Sequence, residues 1–214
     1  MFAAKDALLT RPSGGYVIPR SLRFRSSASA YLNRTPSVAA TSSQKMTYSF
    51  WLKRGKLGVL QGIFDAGTTP SNDYSSITAA DVIVWYLNNG GNGAMQTIPV
   101  FRDPSAGYHI MLVTDTTQAQ PAGNAADSRL RIYVNGSQIT SLTTATMPAQ
   151  NYNVVYTGQN GAVQNLFRNL STNYTDGYVA DCYFIDGQAL APTSFGAINA
   201  TTGVWAPIKY TGGE

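Results

Sequence analysis

Apolar and polar residues alternate with period two through much of this chain. In 46–53, Met46, Tyr48, Phe50 and Leu52 fall on one side and Thr47, Ser49, Trp51 and Lys53 on the other, as in a strand with one side buried. The first set is expected to face a core, with Trp51 half covered from behind. In 107–115, Tyr108, Ile110 and Leu112 interleave with His109, Met111 and Val113, so both faces look covered and the strand looks central. The same reading predicts strands at 16–19, 21–25, 30–33, 58–65, 82–87, 98–101, 129–135, 153–157 and 177–186. Helical pattern is confined to 163–170 and a single turn at 192–195. The polar stretches 67–81, 88–93, 116–128 and 158–175 read as loops, and Pro70, Pro104 and Pro121 lie in or beside loops, where they interrupt no ladder. Asn135-Gly136 suits a type I′ hairpin turn, and Asp176-Gly177 and Asp186-Gly187 bracket a further strand. These signals predict an all-β antiparallel fold, with no internal repeat to indicate a propeller or solenoid.

The chain has 214 residues and is 43% hydrophobic, enough for one large β domain with its own core. Its single cysteine, Cys182, excludes an internal disulfide framework and is expected to be a buried, inert thiol. Lys5 and Asp6 interrupt the opening residues, so no secretory leader is expected there, and no run approaches the length of a membrane-spanning helix. The Asn-x-Ser/Thr triplets at Asn33, Asn135, Asn169, Asn173 and Asn199 then read as a polar surface. The net charge of +4 is unevenly spread. Residues 1–56 hold ten Lys or Arg against one acid, and the remainder five against ten. A basic N-terminal quarter fits an acidic protein surface or a phosphate backbone. The plainer reading is that Arg20, Arg23 and Arg25 line the solvent side of a strand.

Candidate chemistry is sparse. His109 is the only histidine, so a Ser-His-Asp relay would have to use it, and its mid-strand position favours a structural hydrogen bond. One His and one Cys cannot build the usual zinc sites. The nearest approach to a carbohydrate platform is Trp85, Tyr86, Asn88 and Asn89, where aromatics lead into an amide-bearing loop. Tyr152, Tyr156, Tyr174 and Trp205 are further aromatic candidates, although core packing explains most aromatics in such a chain. Arg11, Tyr16, Arg20, Arg23, Arg25 and Arg34 are candidates for docking a partner.

An ordered set of runs resembles the concanavalin A-like, laminin G type domains of tailed-bacteriophage tail fibres and other virion structural proteins. The runs are Ser21-Leu22-Arg23-Phe24, Ala30-Tyr31-Leu32-Asn33-Arg34-Thr35-Pro36, Thr47-Tyr48-Ser49-Phe50-Trp51-Leu52-Lys53-Arg54, Tyr108-His109-Ile110-Met111-Leu112-Val113, Arg129-Leu130-Arg131-Ile132-Tyr133-Val134-Asn135-Gly136, and the stretch from Asp176 through Phe184-Ile185-Asp186-Gly187-Gln188-Ala189-Leu190. Gly203-Val204-Trp205 and Lys209-Tyr210-Thr211-Gly212 close the set. The resemblance implies a jelly-roll sandwich of two antiparallel sheets over 21–214, with 1–20 as an extended anchoring arm. It also implies that the first strand pairs near the last, bringing Leu22 and Phe24 to 178–185. Such a fold hosts lectins, hydrolases and structural modules alike.

Glucanase-like members present two glutamates on one strand face, but the only glutamate here is Glu214. Asp181 and Asp186, five residues apart, are expected to point to opposite faces. Relatives often hold calcium, for which Asp73, Asp81, Asp115 and Asp127 are the oxygen donors to consider, without a spaced ligand motif. The basic, aromatic-bearing stretch 11–56 coincides with the family's opening strands, which favours protein docking over nucleic acid. The expectation is a non-enzymatic virion protein with no required cofactor: a tail-associated appendage docked through its arm, in contact with other virion proteins, multicopy or homo-oligomeric, and touching a host-surface glycan. A head-surface decoration protein and a soluble lectin are the alternatives.

Overall fold

The computed structural model describes residues 15–68, 71–119, 129–169 and 172–213. Two antiparallel sheets pack face to face. With strands numbered along the chain, the first sheet runs β1 (Leu22–Phe24), β15 (Gly177–Asp186), β3 (Lys45–Arg54), β8 (Tyr108–Asp115), β9 (Leu130–Val134) and β10 (Ser137–Gln138). The second runs β11 (Leu142–Thr146), β7 (Gly93–Thr97), β6 (Ile83–Leu87), β5 (Ser71–Ile77), β4 (Gln61–Thr68), β12 (Gln164–Leu166) and β2 (Leu32–Arg34). Two short hairpins are added, β13 (Arg168–Asn169) with β14 (Asn173–Tyr174) and β16 (Gly196–Ile198) with β17 (Trp205–Pro207). Among the described residues no helix is long and apolar enough to cross a membrane.

The alternation in β3 places its residues as read. Met46, Tyr48, Phe50 and Leu52 join Ile110, Leu112, Leu130, Ile132, Trp85, Leu87 and Met95 in the core between the sheets. Each large apolar side chain sealed there contributes about 1.5–3 kcal/mol. Phe167 packs its ring tilted against Phe24 and edge-on against Phe50, at 4.7 and 5.6 Å between centroids. β8 is buried along its whole length, as a central strand must be. Leu22 pairs with Val179 and Phe24 with Gly177, which joins the first strand to the last. The Asn135-Gly136 turn has positive φ at both residues.

A second apolar cluster covers the outward side of the six-stranded sheet, built from Met111, Val113, Ile185 and Phe195 with Tyr133, Tyr183, Leu190 and Tyr210 packed against them. The two sheets are also fastened at one end by a charge. Arg54, whose side chain is wholly buried, donates from Nη1 to Asp81 Oδ1 at 2.8 Å and to the Phe101 carbonyl at 2.5 Å.

Several expectations need correction. The stretch 67–81 is not a loop, because β5 runs through it. Its inward polar groups are satisfied by tertiary bonds that local sequence does not announce, such as Ser75 Oγ to the Val84 carbonyl. The helix expected at 163–170 is instead β12, a left-handed residue at Phe167 and β13, since Asn165 and Leu166 are captured between β4 and β2; Leu170 lies outside the described residues. The residues at 98–101 are irregular, and the strand lies just before them as β7. The segments 16–19 and 153–157 are irregular as well, held by side-chain and loop bonds and not by a ladder. Of the expected arm, 1–14 lies outside the described residues.

Cys182 is also not the buried residue expected. It sits exposed on a bulge where β15 slips register between Ala180 and Tyr183, although its Sγ reaches the buried Tyr48 hydroxyl at 3.5 Å. Desolvation at that contact pushes the thiol up to about 11.

Candidate functional site

His109 is fully buried between two indoles, stacked on Trp51 at 5.0 Å and on Trp205 at 6.0 Å between centroids. Trp205 arrives from the C-terminal hairpin, pressing its ring onto Gly136 and Gly196, where any Cβ would collide with it. Its Nε1–H donates to His109 Nδ1 at 3.1 Å. Nδ1 is therefore the acceptor nitrogen, and the proton resides on Nε2, which donates to Ser49 Oγ at 2.9 Å. Burial lowers the imidazole to about 4. The Ser49-His109 pair has the wrong polarity for nucleophilic catalysis, since the histidine gives Ser49 a proton and no carboxylate orients it. The structural role expected of His109 is the one observed.

The described carboxylates are committed internally. Asp73, fully buried, accepts Asn88 N–H on Oδ1 and the Thr157 N–H and Oγ–H on Oδ2, all within 2.9 Å. Burial raises its carboxyl above the usual range, partly offset by those donors. Burial also acts on Asp81, but Arg54, the Gly58 N–H and Arg102 outweigh it and hold the group low. Asp115 is held low in the same balance by Thr117, Gln118 and Lys45, and Asp176 by Arg23 and Ser26. A calcium ion needs several oxygens free to converge. Asp73, Asp81 and Asp115 spend theirs on separate partners, no group of three or more acidic, His or Cys ligands gathers among the described residues, and Asp127 lies outside them. The described residues do not fit the ion.

Asp181 and Asp186 serve different neighbours. Asp181 accepts the Tyr16 hydroxyl at 3.4 Å, while Asp186 accepts the backbone N–H groups of Thr41 and Ser42. The simple parity argument for opposite faces does not hold, because the bulge lies between them. Burial, reinforced by Asp181, pushes the Tyr16 hydroxyl up to about 12.

The basic docking candidates are dispersed. Arg23 is tied to Asp176 at 2.9 Å and lies over the Tyr178 ring at 5.0 Å. Arg20, Arg25 and Arg34 are exposed, and Arg11 lies outside the described residues. Of Tyr16, Phe24 and Tyr31, only Phe24 enters the core. Tyr31 is half-buried and carries the Arg168 guanidinium on its face at 4.2 Å.

The glycan candidates divide. Trp85 is 3% exposed and belongs to the core, so its indole offers no face to a ligand. Tyr86, one residue along, points to the opposite side of the sheet and is half-buried. Asn88 is structural, bonded to Asp73 and, through Nδ2, to Asn92 at 2.7 Å. Asn89 is exposed in a left-handed conformation. Gly90 of the same turn packs within 3.3 Å of the Tyr86 ring at its virtual Cβ, so the turn braces that ring.

What the sequence did not disclose is the company Tyr86 keeps. Register places Thr146, Ala94, Tyr86, Tyr74, Asp65, Asn165 and Asn33 directly opposite one another, one from each strand of the seven-stranded sheet, on its outward face. Tyr74 and Tyr86 stand 5.0 Å apart between ring centroids, tilted by 44°. Asn165 Nδ2 donates to Asp65 Oδ1. Val84, Ala94, Ser76, Asp65 and Asn165 are all buried although they lie outside the core cluster, so much of this face is shielded from solvent. At its margin the β13–β14 hairpin closes down on Gly62, where a Cβ would overlap the Arg168–Asn169 backbone, and Asn169 Nδ2 reaches Ser76 Oγ at 2.7 Å.

Comparison with known proteins gives a consistent architecture. The chain is similar to a native heptameric SAP-like pentraxin from Limulus polyphemus, with 13% identity, 83% of this chain and 75% of that chain covered, and a TM-score of 0.50. It is similar to the binding domain of Botulinum neurotoxin DC in complex with SialylT, at 13% identity, 76% and 37% coverage and 0.51. It is also similar to the CBM40 of Ruminococcus gnavus IT-sialidase bound to alpha2,3 sialyllactose, at 15% identity, 87% and 100% coverage and 0.50. At these identities the likeness is one of fold. A search of curated protein sequences finds no match. The family model described as the concanavalin A-like lectin/glucanases superfamily matches residues 26–193, well over half of the chain, and on that match the protein belongs to this superfamily.

Proposed function

We propose that this protein is a non-enzymatic binding module of a bacteriophage particle, a tail-associated appendage that docks through its basic N-terminal region and turns the sandwich toward the host surface. The observation that carries the non-catalytic half is the internal commitment of its acid–base groups. The one imidazole donates inward to Ser49, and Asp73, Asp81, Asp115 and Asp176 are spent on hydrogen bonds or arginine pairs. None of these is paired as a catalytic acid with a free base. The viral half rests on the ordered strand motifs quoted above, from Ser21-Leu22-Arg23-Phe24 to Lys209-Tyr210-Thr211-Gly212. The exposed Arg20, Arg25 and Arg34 supply the docking charge.

Counting copies per purified particle by mass spectrometry, with antibody labelling in the electron microscope, tests this reading. Six to a few tens of copies at the tail are expected. Hundreds on the head would replace the appendage with a decoration protein, and absence from the particle would leave a free lectin. Removing residues 1–19 is expected to abolish incorporation; unchanged incorporation would overturn the docking role.

A further inference from the structure

The C-terminal hairpin is a folded unit of its own. Strands β16 and β17 pair with each other and with neither sheet. Asn199 closes their turn: its backbone bonds Val204 and Gly203, and its Oδ1 accepts the N–H groups of Thr201 and Thr202. At the base, the Ile208 N–H donates to the Phe195 carbonyl, and Phe195 itself is buried in the layer beneath. Among the described residues, one hydrogen bond ties 196–207 to the sandwich, from Trp205 Nε1–H to His109 Nδ1. Around that bond the indole lies on Gly136, and Ile198 and Pro207 line a groove with Gly15 and Tyr16.

The tie holds only while Nδ1 keeps its lone pair. An imidazolium carries N–H on both ring nitrogens, so a proton taken up at Nδ1 sets one donor against another, the Trp205 Nε1–H. Ser49 accepts from Nε2 in either state and does not resist the change. The indole cannot slide out of the conflict, because its six-membered ring already fills the space over Gly136. Trp51 lies on the imidazole whether or not the hairpin is in place, so its attraction for a cation does not hold the hairpin down. Water reaches the charged ring only when the hairpin lifts, and hydration is what a buried cation lacks.

Register gives the other titratable and charged groups of this face as Lys53 on β3, Arg131 and Tyr133 on β9, and Tyr178 and Tyr183 on β15. The C-terminal segment adds Lys209 and Tyr210, and across the groove Tyr16 donates to Asp181. Asp181 is the one carboxylate among these groups, and it is engaged by Tyr16. The imidazolium therefore gains no counter-ion by staying covered.

We propose that the hairpin 196–207 is an acid-released cover: protonation of His109 at Nδ1 breaks its one hydrogen bond to the sandwich, and the hairpin lifts as a unit about Phe195 and Ile208, uncovering Trp51 and His109 while both sheets stay folded. The device sets what the outward face of the six-stranded sheet presents, and it is independent of where the protein is mounted. The covered imidazole titrates near 4 and an uncovered one near 6.5, so between those values the lifted state binds the extra proton. The lifted population is smallest above about 6.5 and grows by up to about tenfold per pH unit as the pH falls to about 4.

Hydrogen exchange of the full chain, read by mass spectrometry from about pH 7 to about pH 4 and corrected for the intrinsic pH dependence of amide exchange, tests the release. Peptides within 196–207 are expected to lose protection by up to about tenfold per pH unit, while those of β3 and β8 stay protected. His109→Asn keeps a carbonyl oxygen near the place of Nδ1 and removes the titrating group; its hairpin protection is expected to be the same at both ends of the range. Asp181→Asn is expected to keep the acid response, which separates His109 from the neighbouring carboxylate. Constant hairpin protection across the range, loss of protection in step with β3 and β8, an acid response that persists in His109→Asn, or one that vanishes in Asp181→Asn would each overturn the proposal.

Discussion

On the outward side of the six-stranded sheet, Trp51 and His109 are overlaid by Trp205 and Phe195, and the C-terminal hairpin closes the layer. On the outward side of the seven-stranded sheet, Tyr74 and Tyr86 meet across neighbouring strands at similar spacing, yet they stay half-buried and outside any core cluster. Both faces carry aromatic pairs; they differ in what the chain lays over them. The first uses its rings for cohesion, to bind its own C-terminal segment. The second pairs its rings across β5 and β6, in the same row as the buried Asp65–Asn165 pair. Aromatic content therefore says little about binding until the covering layer is known.

The contrast can be broken most severely where the two sheets are joined. Arg54→Ala leaves Asp81 without its buried cation and is expected to cost about 4 kcal/mol in denaturant unfolding, because removing one partner strands the other charge. If the C-terminal layer is cohesive, Trp205→Ala should lower stability by about 3 kcal/mol in the same titration, by removing the indole stacked on His109. Unchanged stability would mean that the layer is not cohesive.

Acid probes the same layer. His109 is held near 4 when folded and titrates near 6.5 when unfolded. The unfolded chain thus binds more protons in that window, so stability is full above about 6.5 and falls toward pH 4, by on the order of 3 kcal/mol. No charged group lies among its bonded or stacked neighbours Ser49, Trp51, Phe195 and Trp205. A His109→Gln variant should flatten the difference in melting temperature measured between pH 6.5 and pH 4. On the recessed face, Gly62→Ala is expected to cost about 2 kcal/mol by forcing the β13–β14 backbone away, readable as earlier thermal unfolding. Tyr86→Ala should cost about 1 kcal/mol, by removing the ring that Tyr74 meets.

Strands β3, β8, β9 and β15 were legible because apolar residues recur along them and their turns carry Asn-Gly or Asp-Gly. Strands β5, β7, β11 and β12 were not. Ser, Thr, Asn and Gln fill much of them, and their pairing is decided by neighbouring strands more than by their own residues. The site shows the same limit. Tyr86 could be found as an aromatic entering a loop, but Trp85 was named with it although adjacent strand residues face opposite ways. Tyr74, Asp65 and Asn165 lie in segments that read as loop, strand end and helix, and only register gathers them into one row.

The bulge in β15 sets where this protein tolerates length change. Before it, Val179 lies opposite Leu52 on the core side; after it, Phe184 lies opposite Tyr48 on that same side. The strand thus contains two reading frames of inside and outside, spliced at Asp181-Cys182. Deleting one residue at the splice would merge the two frames into one continuous alternation, with Phe184 still opposite Tyr48 on the core side and Ile185 on the outer side; the same deletion a few residues further along would turn the rest of the strand inside out. A natural relative lacking the extra residue would therefore carry an unbroken period-two pattern through this strand, so a one-residue gap at that point leaves both linings in place.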